Sequence, residues 1–319
     1  LTGCLVALDG LLLVESRYAL INLYLVFFGL LGQVLWLKGR RAEHPLGWQL
    51  LGGIALGASV SVKWNGLGYL AGLALYGLAR SLPTPAGREA EAIPWRERWR
   101  PWARHGLCLG VVPAATYLLL WQPHLRQSPG ATLLTLHQQI LGYHQNLGAT
   151  VHPYCSPWWS WPLMLRPVSY FYAKVGPAGQ ELIGNVQGMG NPVLWGLVAG
   201  AVLLGLGYGV WWTRSTTEER EPCPSPLLFG LLNVAANWLP WALARRCLFI
   251  YHYLPALIAG CLVLAWWLDE AWKGPAGRLL AGMLLGLIGL GFYFWLPIYL
   301  GLPLTPAEWQ RRFPFSGWI

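Results

Sequence analysis

Six long apolar segments recur along this chain, and few folds other than a membrane-embedded bundle accommodate such a pattern. A helix needs about 17–25 apolar residues to cross the hydrocarbon core of a bilayer. Only 11% of the residues are charged, whereas soluble domains carry about 25%. The sequence therefore predicts an all-α, multi-pass integral membrane protein. The segments are 18–37, the shorter 108–121, 193–212, 227–243, 250–268 and 279–300.

A further apolar stretch, residues 46–79, is too long for one crossing at about 1.5 Å of helix rise per residue. It is interrupted by VKWNG at positions 62–66. We therefore predict two short spans that meet at a hinge around Lys63. Residues 1–14 would be the remnant of one more helix. The prediction is then about nine spans in a single transmembrane domain, residues 1–319.

Basic residues in the loops orient the spans, because cytoplasmic loops are enriched in Lys and Arg. The loops 38–44 and 80–104 are rich in Arg, so both are predicted to be cytoplasmic. Counting spans from them places Lys63, the segment 122–190 and the pair at 245–246 together on the exoplasmic face, which favours a common site. Because the net charge of +9 resides mostly in short loop clusters, the expected partner is the lipid bilayer rather than nucleic acid.

The segment 122–190 is long but carries few charges, so we predict amphipathic helices that lie on the membrane surface. Its aromatic run WWSWP (158–162) is either an interfacial anchor or the wall of a cleft for a sugar or a polyprenyl chain. His137 and His144, seven residues apart, would share a helix face in that cleft. The candidate cleft residues are His137, His144, His152, Tyr154, Trp158, Trp159, Trp161 and, from a later loop, His252.

Neither a metal nor a disulfide is predicted. His-x6-His without a nearby carboxylate is poor spacing for metal ligands. The six cysteines show no paired or metal-binding spacing, so they are expected to face lipid or the protein core.

Four basic residues on the exoplasmic face are candidates for binding a phosphate: Arg17, Lys63, Arg245 and Arg246. Lys63 is the strongest, because a charge within an apolar stretch is costly and commonly functional. The arginines have an alternative role, in which they extend along the membrane surface toward water.

Carboxylates are scarce on this face. Asp9 and Glu15 are weak candidates for a catalytic base. Glu15 is expected to pair with Arg17, and Asp9 is either functional or bonded to a polar neighbour inside the bundle.

Four sequence blocks together resemble the bacterial protein O-mannosyltransferases, which are multi-spanning glycosyltransferases of the GT-C type. The blocks are LDGLLLVESRYALINLYLVFF (8–28), SVKWNGL (61–67), HQQILGYHQNLGATVHPYCSPWWSWPLMLRPVSYFY (137–172) and RRCLFIYHYLPA (245–256). The resemblance implies transfer of mannose, with inversion, from polyprenyl (dolichyl-type) phosphate mannose to Ser and Thr hydroxyls of exported proteins. The donor is then a substrate, and no cofactor is required.

The resemblance also implies a place in the bacterial plasma membrane, an active site on the exoplasmic face, and secreted or membrane proteins as acceptors. Arg17 matches the family's functionally important arginine. The family's acidic pair lies upstream of Leu1, so the resemblance implies an N-terminally truncated chain without an assigned base. Two other functions stay open. One is a GT-C enzyme with a lipid or glycan acceptor, and the other is a non-catalytic transporter or lipid-binding scaffold.

Overall fold

In the computed structural model, residues 1–81, 102–148, 152–177, 181–214 and 223–319 are described, and most of them are helical. In chain order the elements are α1 (Thr2–Ala7), α2 (Gly10–Arg17), α3 (Ile21–Gly39), α4 (Pro45–Val62), α5 (Leu67–Ser81), α6 (Val112–Gln127), α7 (Leu133–Asn146), β1 (Val168–Val175), β2 (Leu182–Gly188), α8 (Pro192–Arg214), α9 (Ser225–Trp238), α10 (Leu254–Trp272), α11 (Pro275–Leu300) and α12 (Pro306–Arg311).

Seven helical segments of the described chain are long and apolar enough to cross a membrane. The predicted multi-pass helical architecture is therefore confirmed. The count of about nine spans is not, because α5 and the α1–α2 pair are shorter than these segments. The seven are Ile21–Gly39, Pro45–Val62, Trp102–Gln127, Pro192–Trp212, Ser225–Leu243, Ile250–Trp272 and Pro275–Leu300.

Helix α10 forms the centre of the bundle. In the span that contains it, 72% of the residues are buried, against 17% in the α11 span and 11% in the α6 span. Both outer helices present apolar side chains such as Leu119 and Leu290 at the surface. A surface of this kind suits hydrocarbon rather than water, which is why hydrophobic residues occur all round these helices.

The predicted break in the stretch 46–79 is present at Lys63. Helix α4 ends at Val62, Lys63 is extended, and a 3₁₀ turn over Trp64–Gly66 leads into α5. A Cβ atom on Gly66 would lie only 2.7 Å from the backbone of Ser59 and Val60. Glycine therefore lets this turn fold back tightly against α4, which fixes the direction of the Lys63 side chain.

Asp9 divides the N-terminal apolar run into two short helices. Its carboxylate caps α2 by accepting a hydrogen bond from Leu12 N at 2.8 Å, and it also accepts one from Trp195 Nε1 at 2.7 Å. Asp9 is only 2% exposed. The structure thus favours the second of its two expected roles, a polar bond inside the bundle.

The predicted amphipathic helices in 122–190 are present only in part. Helix α7 starts with a capping box between Thr132 and Thr135 and contains no buried residue, as expected of a surface helix. Val168–Val175 and Leu182–Gly188, in contrast, pair as antiparallel strands. The helical prediction is wrong there, because VSYFYAKV is rich in aromatic and β-branched residues that favour strands.

The expectation that no cysteines pair is also wrong, because Cys155 and Cys247 form a disulfide across 92 residues of sequence. Backbone bonds flank it, from Ser156 N to Leu248 O and from Cys247 N to Gly148 O. No local spacing signals a contact of this range. The disulfide joins the residues just before the aromatic run to the RRCLFIYHY segment (245–253).

Replacing Cys155 by Ser should lower the free energy of unfolding, by about 2–4 kcal/mol for a native disulfide that closes a long loop. The measurement is thermal unfolding of the purified protein in detergent, with and without reductant. Cys223→Ser is the matched control, since Cys223 is a free, partly exposed thiol. Equal melting temperatures for Cys155→Ser and the unmodified protein would contradict the assignment.

Candidate functional site

A buried hydrogen-bond network links four segments beside the Lys63 hinge. Glu15, which is fully buried, accepts hydrogen bonds from Tyr170 OH at 2.6 Å and from Asn22 Nδ2 at 2.9 Å. Lys63 Nζ donates to Asn22 Oδ1 at 3.1 Å. The network thereby fixes α2, α3 and β1 around the Lys63 ammonium.

These contacts correct the expectation that Glu15 pairs with Arg17. Arg17 points elsewhere and donates from Nη1 to Tyr299 O at 2.9 Å. Asn22 and Tyr170 take its place on the carboxylate. The sequence alone shows that Asn22 is a polar residue in the otherwise apolar α3. The position of Tyr170, in contrast, depends on the pairing of β1 with β2.

Burial controls the ionisation of this network. It raises the pKa of Glu15, whereas the hydrogen bonds from Tyr170 and Asn22 and the positive charge of Lys63 lower that pKa by a smaller amount. Burial, together with the charge of nearby Arg246, lowers the pKa of Lys63 to about 8, although the charge of Glu15 acts in the opposite direction. The Lys63 cation is therefore only modestly stable near neutral pH, and an added anion would stabilise it.

Lys63 and Arg246 line one cavity of about 840 Å³. This volume lies within the range of about 300–1,000 Å³ that is usual for small-molecule sites. Trp64, Trp241 and His144 also border it. Two cations in a mostly apolar cavity are suited to an anion that carries an apolar group, because charge-assisted bonds are stronger where water is excluded.

The other two arginines predicted to bind phosphate lie outside this cavity. Arg245 is exposed, whereas half-buried Arg246 is held by its bond from Nη1 to Cys247 O at 3.0 Å. Arg17 lies in the last turn of α2, next to Tyr18, whose ring stacks on that of Tyr170 at 5.4 Å. Thus Arg17 borders the Glu15 network but not the cavity.

The predicted histidines have different environments. His144 borders the cavity, and its Nδ1 is buried without a hydrogen-bond partner among the described residues. Burial, Arg246 and Lys63 lower the pKa of His144, so its imidazole is neutral at pH 7. A neutral ring can accept a hydrogen bond from a hydroxyl in the cavity.

His137 and His252 are engaged in packing. His137 bonds to Tyr117 OH and Leu133 O, and its ring stacks on Trp64 at 5.6 Å. His252 is 2% exposed and lies 4.4 Å from the Trp241 ring. Both histidines therefore support aromatic side chains that border the cavity.

Residues 152–161, which include most of the aromatic run, form a supporting layer behind the cavity. Trp161 is fully buried; it donates to Ser156 Oγ at 2.9 Å and packs on Trp241 at 5.9 Å. Trp158 packs against Trp238 at 5.4 Å. The run therefore holds Trp241, a cavity residue that the sequence did not single out.

The other three predicted cleft residues of this stretch, His152, Tyr154 and Trp159, lie nearer the surface. Trp159 is 56% exposed, as an interfacial anchor would be. His152 Nδ1 accepts a bond from Tyr154 N at 3.2 Å, and Arg166 lies 5.2 Å from the Tyr154 ring. The predicted cleft residues of this stretch are thus divided between a buried layer and the protein surface.

Within the described ranges, no three His, Cys, Asp or Glu side chains come together as a potential metal site.

Two family models match the chain. The one described as the C-terminal four TMM region of protein-O-mannosyltransferase matches residues 130–318, and the one described as dolichyl-phosphate-mannose-protein mannosyltransferase matches residues 1–127. Together they cover both sides of the cavity, since Lys63 lies in the match over residues 1–127 and Arg246 in the match over residues 130–318.

Curated bacterial proteins match over the whole chain. A polyprenol-phosphate-mannose–protein mannosyltransferase of Mycolicibacterium smegmatis is 26% identical over 383 residues, which is 100% of this chain and 71% of that protein. The protein of the same name from Corynebacterium glutamicum is 24% identical over 388 residues, with 100% and 71% coverage.

A solved structure shares the fold. The Saccharomyces cerevisiae protein O-mannosyltransferase Pmt1-Pmt2 complex bound to the sugar donor superposes with a TM-score of 0.82. The match covers 100% of this chain and 76% of that chain, at 14% identity. At this identity the likeness concerns the fold alone.

Asn22→Ala should lower the free energy of unfolding by about 1–3 kcal/mol, because it leaves the buried Glu15 and Lys63 each with one unmade hydrogen bond. Thermal unfolding in detergent measures this. Asn146→Ala, at the exposed end of α7, is the control and should change little. If both variants lose the same stability, the bridging role of Asn22 is wrong.

Proposed function

The chain belongs to the protein O-mannosyltransferase family, and from this premise we propose that its cavity transfers mannose from polyprenyl phosphate mannose to Ser and Thr hydroxyls of exported proteins. The observation that carries the proposal is the placement of Lys63 and Arg246 in one mostly apolar cavity. A sugar phosphate ester with a long apolar chain combines the two properties that this cavity selects.

In the proposed reaction, the acceptor hydroxyl oxygen attacks the anomeric carbon of mannose. The bond from that carbon to the phosphate oxygen breaks, so the electron pair leaves with the polyprenyl phosphate and the configuration inverts. Negative charge therefore grows on the phosphate. Lys63 and Arg246 stabilise this charge, and fixed cations in a water-poor cavity do so more effectively than water.

The hydroxyl proton must pass to a base. Asp9 is engaged by Leu12, Asn191 and Trp195, and Glu15 by Tyr170 and Asn22. Neither carboxylate borders the cavity. We therefore assign Glu15 a positioning role, in which it orients Lys63 through Asn22. Neither Asp9 nor Glu15 is assigned as the catalytic base.

His144 and the aromatic walls are proposed to position the reacting groups. The imidazole of His144 accepts a hydrogen bond from a sugar or acceptor hydroxyl, while Trp64 and Trp241 pack against the pyranose face. Arg17 retains a proposed role at the donor phosphate, by its match to the family motif and its place beside the Glu15 network.

The proposed location of the reaction is the exoplasmic face of a bacterial plasma membrane. Lys63 and the basic residues Lys38, Arg40 and Arg41 lie at opposite ends of the α3–α4 pair. Since basic loops remain cytoplasmic, the cavity at Lys63 faces the other side. Arg88, Arg96, Arg98 and Arg100, which support the same orientation, lie outside the described residues.

The test is transfer by the natural protein in liposomes, given polyprenyl phosphate mannose and a Ser/Thr-rich peptide. Mass spectrometry should find peptide carrying one added hexose. Lys63→Met and Arg246→Gln should each reduce kcat/KM about 10- to 150-fold, since a charge-assisted hydrogen bond contributes about 1.5–3 kcal/mol. Lys174→Gln is the control, because Lys174 is exposed and pairs with Glu181.

Other outcomes would favour the alternatives. Donor consumption that requires a lipid or glycan acceptor, with no peptide product, would replace the proposed acceptor class. Solute uptake without any sugar transfer would replace the enzyme by a transporter. Equal activity in Lys63→Met, Arg246→Gln and Lys174→Gln would remove the two cations from the mechanism.

Donor affinity should depend on pH through Lys63. Its pKa of about 8 means that the ammonium is present below pH 8 and lost above it, so affinity should fall as pH rises from 7 to 10. Bound phosphate raises the pKa of Lys63 and moves the midpoint upward. Binding isotherms across this range measure the effect; Lys63→Arg should flatten the profile, and a flat profile in the unmodified protein would exclude Lys63 as the titrating group.

A further inference from the structure

A second cavity, of about 940 Å³, lies between α3, α5, α9 and α10. Its interior walls are mostly apolar and include Leu30, Val34, Phe229, Ile258 and Leu262, with the polar side chains of Gln33 and Asn233 between them. Both Ser225 and Asn237 of α9 border it, so it extends about 18 Å along that helix at about 1.5 Å per residue. This depth and lining suit an extended hydrocarbon chain.

Four cations border the same cavity at the end where α3 and α5 finish. They are Lys38, Arg40, Arg41 and Arg80. Aromatic faces hold two of them, since Lys38 Nζ lies 3.8 Å from the Trp48 ring centroid and Arg40 Cζ lies 5.5 Å from that of Tyr76. Three of the cations thus come from the end of α3 and the loop after it, and Arg80 from the end of α5 joins them at the same end of the cavity.

Their hydrogen-bonding capacity is unused within the part of the chain that the structure describes. The ion pairs found there are Lys174–Glu181 and Lys273–Glu270. Loop enrichment in basic residues alone does not explain this difference. Where α10 ends and α11 begins, Lys273 bonds to Glu270 at 2.7 Å and Arg278 in the first turn of α11 donates to Trp272 O at 3.0 Å.

We propose that this cavity binds an anionic phospholipid. The headgroup phosphate lies among Lys38, Arg40, Arg41 and Arg80, and an acyl chain extends inward between α3, α9 and α10. Basic pockets between transmembrane helices recognise anionic headgroups in this way, and guanidinium groups bind phosphate oxygens through paired N–H donors. A zwitterionic phosphatidylcholine lacks the net negative charge that four cations select.

This lipid site is separate from the mannose-transfer site. It has its own cations, and the two cavities share only Asn237 among the residues that border them. Its test therefore measures lipid binding rather than transfer, so that the failure of one proposal leaves the other standing.

The experiment uses the purified natural protein, delipidated in detergent and titrated with phosphatidylglycerol or phosphatidylcholine. Native mass spectrometry should show one retained phosphatidylglycerol per chain, and the melting temperature should rise with that lipid alone. The triple variant Arg40→Gln, Arg41→Gln, Arg80→Gln should bind phosphatidylglycerol about 100-fold more weakly, since each cation near an anionic lipid contributes about a factor of five. Arg278→Gln is the control and should bind normally.

A second variant tests the chain slot without changing charge. Ala259 borders the cavity, and Ala259→Phe should block the acyl chain and abolish lipid retention while all four cations remain. It also serves if the triple variant does not fold. Equal binding of the two lipids, unweakened binding by the triple variant, or complete competition by inorganic phosphate would each overturn the proposal.

Discussion

The site depends on the hydrogen bonds that hold the Lys63 cation at the break between α4 and α5. Lys63 is held by Asn22, which also donates to Glu15, and Glu15 accepts from Tyr170. A buried ammonium is costly unless it is paired and hydrogen-bonded. This network reduces the cost without placing a carboxylate in the cavity, so the positive charge of Lys63 remains available to an anionic ligand.

Arg246, the second cation, is positioned at the cavity by a different set of contacts. Arg246 precedes Cys247, which is joined to Cys155 by the disulfide, and the Trp161–Trp241–His252 cluster packs beside it. Covalent and aromatic contacts therefore fix one wall, while hydrogen bonds fix the other. Two like charges can be held near each other in this way, because each is positioned by its own surroundings. This is the arrangement that a leaving phosphate needs.

The sequence predicted the features that depend on neighbouring residues. The apolar segments, the hinge at Lys63 and the exposed helix that carries His144 follow from composition and periodicity. It did not predict contacts between distant residues. The Cys155–Cys247 bond, Tyr170 on Glu15 and the burial of His252 beneath Trp241 depend on how loops converge. Residues of the same type therefore have different environments in the structure. Arg246 lines the cavity whereas Arg245 is exposed, and His144 borders the cavity whereas His137 is bonded to Tyr117.

The central claim is that the sugar donor occupies the cavity between Lys63 and Arg246. The most direct measurement is photo-cross-linking with polyprenyl phosphate mannose that carries a diazirine close to the phosphate, followed by peptide mapping. We expect labelling of the peptides that contain Trp64 and Trp241, and its loss when unlabelled donor is added. Competed labelling confined to peptides around Phe229 and Ile258, in the second cavity, would contradict the account.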